Sequence, residues 1–264
     1  MTAVVGVDLG GTKIAFACFD GQDLAESTIV ATDTSSSEAL IEQLVDGVSR
    51  CRGSELDGVG IGVPSIVEFS TGRVVSSANI PLRDVPLREV LGERLGVSVF
   101  VDNDATVATL AEAHDDDLRM VATDLVMLTI GTGIGGGLVL GGRIYRGATG
   151  GAGELGHTMV GMDMSGAVPA AGSFPQPGSL EGEAAGHAFD ALVTAFAQSN
   201  PDSSLGRRLA AGEPLTGVQA VEAAHAGDVD ARRMIELWGE RVGIGIANAI
   251  NTFDPEEVVI GGGA

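Results

Sequence analysis

Residues 5–13 read VGVDLGGTK, and this stretch decides the first element of the fold. A short, mostly apolar run leads to Asp8 and is followed by Gly10 and Gly11. A second apolar run, KIAFACF, follows at 13–19. Two apolar runs joined by a glycine turn predict a β-hairpin. Glycine also lets backbone N–H groups come close to a bound anion, so the same turn is a candidate phosphate loop. This stretch alone leaves both interpretations open.

The same pattern returns in the second half of the chain. Residues 124–144 read DLVMLTIGTGIGGGLVLGGRI, in which a turn containing Gly131, Thr132 and Gly133 joins two apolar runs. The Walker A pattern GxxxxGK[ST] is absent from both turns, so any phosphate binding here uses another loop geometry. The repeat predicts a duplicated α/β architecture. Together with a third glycine run at 261–263, it favours phosphate loops over two ordinary hairpins.

One polar stretch divides the chain. Apolar residues at helical spacing predict helices at 37–51, 180–198 and 216–252. The stretch HDDDLRM at 114–120 interrupts this pattern, so the sequence predicts an N-terminal domain at 1–115 and a C-terminal domain at 116–264. His114 with its three neighbouring aspartates is compatible with a metal site or a solvated loop, and the loop is favoured. Residues rich in proline and small side chains at 162–179 predict a long loop.

Acidic residues follow an apolar run at FVDNDA. Asp102, Asn103 and Asp104 are predicted at the end of a strand, where side chains can meet a ligand. A carboxylate there can accept a hydroxyl proton during phosphoryl transfer. The amide of Asn103 can both donate to and accept from a sugar hydroxyl. The alternative is an Asx-type cap at the start of the next helix.

A second polar pair stands in GGAGELGH at 150–157. Glu154 and His157 are three residues apart among small neighbours, an arrangement suited to binding the vicinal hydroxyls of a sugar. The alternative is a buried histidine whose hydrogen bonds are satisfied by the protein. Zinc would require more ligands, and no cysteine lies nearby in the sequence.

Charge and composition narrow the range of partners. The 264 residues carry a formal net charge of −21, which disfavours nucleic acids and anionic membranes as partners. Neither a signal peptide nor a membrane-spanning run is recognisable, so the sequence predicts a cytoplasmic protein. Cys18 and Cys51 have no CxxC partner, so we interpret both as reduced structural residues.

Five motifs in order resemble the ROK family of repressors and sugar kinases. They are DLGGTK at 8–13, VDNDA at 101–105, GTGIGGG at 131–137, GELGH at 153–157 and FDPEEVVIGGG at 253–263. The resemblance implies an α/β protein with the duplicated actin-like ATPase (ribonuclease H-like) fold, in two domains with a cleft between them. It also implies ATP-dependent phosphorylation of a hexose, with glucose favoured and ATP preferred over polyphosphate as the donor.

The resemblance also implies roles for individual residues. Asp104 would be the general base, and the sugar hydroxyls would be bound by Asn103, Glu154, His157 and Glu181. Asp8 would lie near the Mg²⁺ that ATP carries and would contact it through water. The residues expected to face ATP are Gly10, Gly11, Thr12, Lys13, Gly131, Thr132, Gly133, Gly261 and Gly262. Lys13 matches the motif but is not expected to act as a Walker-type lysine.

The chain departs from the family pattern in two places. Many members have a zinc-binding CxCGxxGC motif, and Gly172, Phe174 and Ser179 stand at its cysteine positions, so no structural zinc is expected. Family chains continue past the last glycine run with further helix, whereas this sequence ends at Ala264. We therefore expect either a fragment or a protein without that final helix.

Two rival functions stay open at this point. A sugar-binding module that no longer phosphorylates is compatible with both departures. A transcriptional repressor is less favoured, because the first glycine loop begins at residue 8 and leaves no room for a preceding DNA-binding segment. A homodimer is an expectation from the resemblance alone.

Overall fold

The chain forms two compact units, each with its own sheet. The computed structural model describes residues 3–21, 23–51, 56–77, 79–161 and 174–263. The first unit comprises Met1–Arg119 and Ile144–Ala152, and the second comprises Met120–Arg143 and Gly153–Ala264. The division falls within the predicted polar stretch, four residues beyond the predicted boundary. The return of Ile144–Ala152 to the first unit differs from the predicted domain at 116–264.

The first unit is built on a five-stranded mixed sheet. In chain order its elements are β1 (Ala3–Leu9), β2 (Lys13–Phe19), β3 (Thr28–Ala31), α1 (Ser37–Cys51), β4 (Leu56–Val63), β5 (Ile66–Glu68), β6 (Arg73–Ser76), β7 (Arg83–Val85), α2 (Leu87–Leu95), β8 (Ser98–Asn103) and α3 (Asp104–Glu112). The strand order is β3-β2-β1-β4-β8, and β5-β6-β7 form a separate small sheet. β1 pairs antiparallel with β2 and parallel with β4, and β4 pairs parallel with β8. The parallel strands β1, β4 and β8 therefore end at one edge of the sheet.

The core of this unit follows the predicted apolar patterns. β1 alternates between buried Val5, Val7 and Leu9 and more exposed residues, which is the two-residue period of a strand with one covered face. α1 buries Leu40, Ile41, Leu44 and Val48, which lie on one face of the helix. These side chains belong to a single hydrophobic cluster, which anchors the strand ends that carry the candidate site.

The second unit repeats the strand arrangement of the first. Its elements are β9 (Leu125–Ile130), β10 (Ile134–Leu140), β11 (Arg143–Ile144, ending in the first unit), a 3-10 turn (Leu155–His157), α4 (Leu180–Ala184), α5 (Gly186–Ser199), α6 (Ser204–Ala210), α7 (Gly217–His225), α8 (Val229–Phe253) and β12 (Glu257–Gly261). The sheet order is β11-β10-β9-β12, with β9 antiparallel to β10 and parallel to β12. Thus β10-β9-β12 repeats β2-β1-β4, which confirms the predicted duplication.

Two predicted helices are each divided. The predicted segment at 180–198 breaks at Ala185, whose extended backbone separates α4 from α5. The predicted segment at 216–252 breaks at Gly227, which adopts a left-handed φ of 96° between α7 and α8. The predicted loop at 162–179 lies outside the described residues as far as residue 173.

Two further expectations concern the environment of the protein. In the ranges that the structure describes, no helix is long and apolar enough to cross a membrane. Cys18 and Cys51 are free thiols, and both are partly buried beside the hydrophobic cluster of the first unit.

Candidate active site

The first glycine turn is closed by backbone hydrogen bonds. The N–H of Gly10 donates to the carbonyl of Lys13 over 2.9 Å, and the hydroxyl of Thr32 donates to the carbonyl of Gly10 over 2.7 Å. A Cβ on Gly10 would lie 2.9 Å from the Lys13 carbonyl oxygen, so a side chain there would disturb the turn. Thr12 and Lys13 are exposed. Two hydrogen bonds therefore hold the turn at Gly10, and Thr12 is accessible to a ligand.

Acidic residues gather at the carboxyl edge of the first sheet. Asp8 pairs in register with Gly62, which in turn pairs with Asp102, so the three lie in one row across β1, β4 and β8. A Cβ on Gly62 would lie 3.2 Å from the Cα of Asp104. The absence of a side chain at Gly62 lets the start of α3 lie directly against β4. The structure thus brings Asp8 into the same region as the predicted DND motif.

Asn103 and Asp104 occupy the turn from β8 into α3. The side-chain oxygen of Asn103 accepts from the N–H of Thr106 over 3.0 Å, and its Nδ2 donates to the carbonyl of Ser65 over 3.4 Å. The Asx-type cap that the sequence left open is therefore present. Asp104 is the first residue of α3, is half-buried, and accepts the N–H of Ala105 at its Oδ1 over 2.8 Å.

Arg146 also belongs to this group, although it was not predicted from the sequence. Its Nε and Nη2 donate to Oδ2 of Asp102 over 2.8 and 2.7 Å, while Oδ1 of Asp102 accepts the N–H of Asn103 over 3.0 Å. The guanidinium carbon lies 3.6 Å from the centre of the Phe69 ring. The sequence offered one signal, a single arginine in the glycine-rich segment RGATGG at 146–151. The prediction failed there because a contact between residues 44 positions apart depends on the fold.

The second glycine turn is held by the segment around α4 and α5. Oε2 of Glu181 accepts the N–H of Ile134 over 2.8 Å. The N–H of Gly186 donates to the carbonyl of Gly131 over 2.8 Å, and Nδ1 of His187 lies 2.7 Å from the carbonyl of Thr132. That distance requires a proton on Nδ1, because a carbonyl oxygen can only accept. Glu181, predicted as a sugar ligand, therefore lies beside the predicted phosphate loop.

Glu154 and His157, the predicted sugar-binding pair, lie close together. Nε2 of His157 lies 3.7 Å from Oε2 of Glu154, and both side chains are partly exposed. The His157 ring contacts the Phe174 ring with a centroid separation of 5.0 Å. A Cβ on Gly156 would lie 2.1 Å from the carbonyl oxygen of Ile134, so the turn between the pair needs glycine to lie against β10.

The third glycine run lies against the second turn. Gly261 pairs in register with Thr129 at the end of β9. Gly262 has a φ of 108°, and a Cβ there would lie 2.1 Å from the carbonyl oxygen of Ile130, the residue before Gly131. Both predicted glycines therefore lie beside the predicted phosphate loop of the second unit.

Several residues bear on metal binding. Within the part of the chain that the structure describes, no group of three or more His, Cys, Asp or Glu side chains could hold a metal ion. Of the three positions aligned with the zinc cysteines, Ser179 is buried and caps α4 by accepting the N–H of Gly182 over 3.1 Å. Phe174 is exposed apart from its contact with His157 described above, and Gly172 lies outside the described residues.

Comparisons with known proteins identify the family. The sequence matches the ROK family over residues 4–264, and the chain belongs to that family. A glucokinase of Halalkalibacterium halodurans is 35% identical over 276 residues, covering 98% of this chain and 79% of that enzyme. An N-acetyl-D-glucosamine kinase of Shigella flexneri is 33% identical over 275 residues, covering 98% of this chain and 83% of that enzyme. A xylose repressor of Caldicellulosiruptor bescii is 29% identical over 270 residues, covering 98% of this chain and 65% of the repressor.

A solved structure supports the same conclusion. The crystal structure of a ROK family glucokinase from Streptomyces griseus, in complex with glucose and AMPPNP, matches with a TM-score of 0.80. The two sequences are 30% identical, and the match covers 99% of this chain and 83% of that one. The comparisons confirm the predicted actin-like two-domain α/β fold and the predicted enzyme class, a sugar kinase.

Proposed function

We propose that this chain transfers the γ-phosphoryl group of ATP to a hydroxyl of a hexose, with glucose as the first substrate. The observation that carries the proposal is the position of Asp8 and Asp102 in one row at the carboxyl edge of the first sheet, with Asp104 beginning α3 directly after β8. A carboxylate at such a strand end can take a proton from a substrate hydroxyl. Among the relatives, the Halalkalibacterium enzyme is named a glucokinase.

Asp104 acts as the general base in this proposal. It orients the attacking sugar hydroxyl and accepts its proton as the bond to phosphorus forms. Its position is supported by the capped start of α3, since Asn103 holds the N–H of Thr106 and so fixes the turn that carries Asp104. General-base catalysis of this kind typically contributes about 10²- to 10⁴-fold in rate.

Four side chains bind the other sugar hydroxyls. We assign Asn103, Glu154, His157 and Glu181 to this role. Glu154 and His157 support the assignment because they lie close enough to bind neighbouring hydroxyls together. Glu181 would bind sugar with the part of its carboxylate that is not engaged by Ile134, and so would link sugar binding to the second glycine turn.

The glycine turns hold the nucleotide. The residues assigned to ATP are Gly10, Gly11, Thr12, Lys13, Gly131, Thr132, Gly133, Gly261 and Gly262. Asp8 suits Mg²⁺ because it is an exposed carboxylate beside the first turn, and Mg²⁺ prefers oxygen ligands while keeping several waters. The ion would arrive with ATP and neutralise phosphate charge, and Asp8 would hold it through water.

The test is ADP release from MgATP with a panel of hexoses, N-acetylated sugars included. We expect release that depends on a sugar, with glucose the most effective, and that falls at least 10²-fold in Asp104→Asn. Asp57→Asn, an exposed aspartate in β4, is the matched control and should keep wild-type turnover.

Two outcomes would contradict the proposal. Sugar-dependent release that persists in Asp104→Asn would refute the general base. Sugar binding by calorimetry without ADP release, from folded protein, would identify a non-catalytic sugar-binding module instead. Preference for an N-acetylated sugar would retain the kinase and change only its substrate.

A further inference from the structure

The guanidinium groups of two arginines lie over the Phe69 ring. The ring centre lies 3.6 Å from the guanidinium of Arg146 and 5.7 Å from that of Arg88. Arg88 is itself fixed, because its Nη1 donates to the carbonyl of Ser70 over 2.8 Å and its Nη2 to that of Phe69. A guanidinium lying flat over an aromatic ring is attracted by the ring electrons and loses much of its freedom to rotate.

The backbone that carries Arg146 is also held in place. The N–H of Ala152 donates to the carbonyl of Arg146 over 3.2 Å, which closes the segment on itself. Gly150 has a φ of 84°, and a Cβ there would lie 2.3 Å from the carbonyl oxygen of Val67. The segment therefore packs closely on β5, and contacts hold both the main chain and the side chain of Arg146.

In this position Arg146 forms an ion pair with the nearly buried carboxylate of Asp102. The side chain of Asp102 is only 12% exposed and that of Arg146 23%. Two N–H groups of one guanidinium meet Oδ2 of Asp102, and the remaining oxygen accepts the N–H of Asn103. An ionised carboxylate with so little access to water needs such a partner, since removing one member of a buried ion pair leaves an uncompensated charge.

The ion pair between Arg146 and Asp102 is linked through the main chain to Asp104, the proposed general base. The N–H that Asp102 holds belongs to Asn103, which caps α3 immediately before Asp104. Rotation of the Asp102 carboxylate would release that N–H and disturb the turn. A displacement of about 1 Å in a catalytic group can lower a rate about 10²-fold.

We propose that Arg146 is a positioning residue for phosphoryl transfer, acting on Asp104 through Asp102 and Asn103. This inference rests on the proposed function for its kinetic part and on geometry alone for its structural part. Arg146 does not touch substrate in this assignment. It fixes the direction of the Asp102 carboxylate, and the carboxylate fixes the turn.

The kinetic experiment compares Arg146→Met with the double variant Asp102→Asn/Arg146→Met. We expect the single variant to lower kcat about 10²-fold at saturating sugar and ATP, with the KM for ATP changed less than threefold. The double variant removes the unpaired charge but keeps a side-chain oxygen for the N–H of Asn103, so kcat should recover at least tenfold. The matched control is Arg73→Met, which breaks the exposed 2.7 Å ion pair with Asp84 in the same unit and should leave kcat unchanged.

A second measurement does not depend on activity. Hydrogen exchange of the peptide covering β8 and α3 should be faster in Arg146→Met than in the wild type and should have the wild-type rate in Arg73→Met. In the double variant the exchange should be slower than in Arg146→Met. Wild-type kcat and wild-type exchange in Arg146→Met would overturn the proposal. Equal loss of kcat in the single and double variants would overturn the charge mechanism. If the wild-type protein releases no ADP with any sugar, the proposed function fails while the exchange result still decides the positioning role.

Discussion

Gly133 offers a direct test of how the second glycine turn and Glu181 depend on each other. A Cβ at Gly133 would lie 2.4 Å from Oε2 of Glu181, the atom that accepts the N–H of Ile134 over 2.8 Å. Oε2 is the end of a flexible side chain, so in Gly133→Ala we expect Glu181 to move away while the backbone of the turn stays. The variant therefore removes one charge-assisted hydrogen bond and shifts one proposed sugar ligand.

The expected magnitude follows from that hydrogen bond. A hydrogen bond to a charged group contributes about 1.5–3 kcal/mol, so Gly133→Ala should lower the free energy of unfolding by about that amount. Because 1.4 kcal/mol corresponds to a factor of ten, loss of one charged contact to a sugar hydroxyl should lower kcat/KM for the sugar about 10- to 100-fold.

The assay pairs Gly133→Ala with a control in the same turn. A Cβ on Gly131 meets no other atom within 4 Å among the described residues, so Gly131→Ala should keep the wild-type stability. Because Gly131 is assigned to ATP, this control applies to the free energy of unfolding and not to the rates. Urea unfolding and initial rates at varied sugar concentration measure both quantities. Reduced stability with unchanged sugar kinetics in Gly133→Ala would show that Glu181 supports the turn and does not bind the sugar. Wild-type behaviour in both would refute the steric argument.

Two further predictions address Asn103 and a helix cap away from the site. Asn103→Ser keeps a capping oxygen and Asn103→Ala removes it, so in urea unfolding Asn103→Ala should lose about 1 kcal/mol of unfolding free energy and Asn103→Ser much less. Both variants should raise the KM for sugar. An unchanged KM in Asn103→Ser would show that Asn103 is not a sugar ligand. The hydroxyl of Ser204 donates to Asp228 and, with the N–H of Ala231, lowers the pKa of that carboxyl below its ordinary value. Ionised Asp228 therefore stabilises the fold above its unfolded pKa of about 3.9, and this contribution is lost as the pH falls through the lower, folded pKa. Asp228→Asn should be less stable than wild type at pH 7, and this difference should shrink as the pH falls below the unfolded pKa; a difference that stays constant with pH would contradict this account.

Much of the fold could be predicted because its signals are local. Alternating apolar residues in β1 and the helical spacing of Leu40, Leu44 and Val48 in α1 gave elements that the structure confirms. Short or polar elements gave no such signal. Strands β5, β6 and β7 have only three or four residues each, and the break at Ala185 is accompanied only by the single glycine Gly186, which a helix can tolerate. At such positions the tertiary environment outweighs local preference.

The candidate site also has a part that local sequence predicted and a part that it did not. The motifs named Asp8, Asn103, Asp104, Glu154 and His157, because each stands in a short distinctive stretch of sequence. Their detailed contacts were not predictable. The capping bond of Asn103, the bond from Glu181 to the second glycine turn and the proximity of His187 to Thr132 all depend on how separate elements pack.

The sequence by itself determined the family, the two repeated glycine turns and the residue types that the chemistry needs. These properties follow from the order and spacing of nearby residues, which the chain carries whether or not it is folded. Only the tertiary structure decided that Ile144–Ala152 belongs with the first unit and that Arg146 meets Asp102 over 2.7–2.8 Å. The physical reason is that an ion pair between distant positions forms only after the strands and glycine segments have fixed both backbones. A linear sequence records the two charges and not the distance between them.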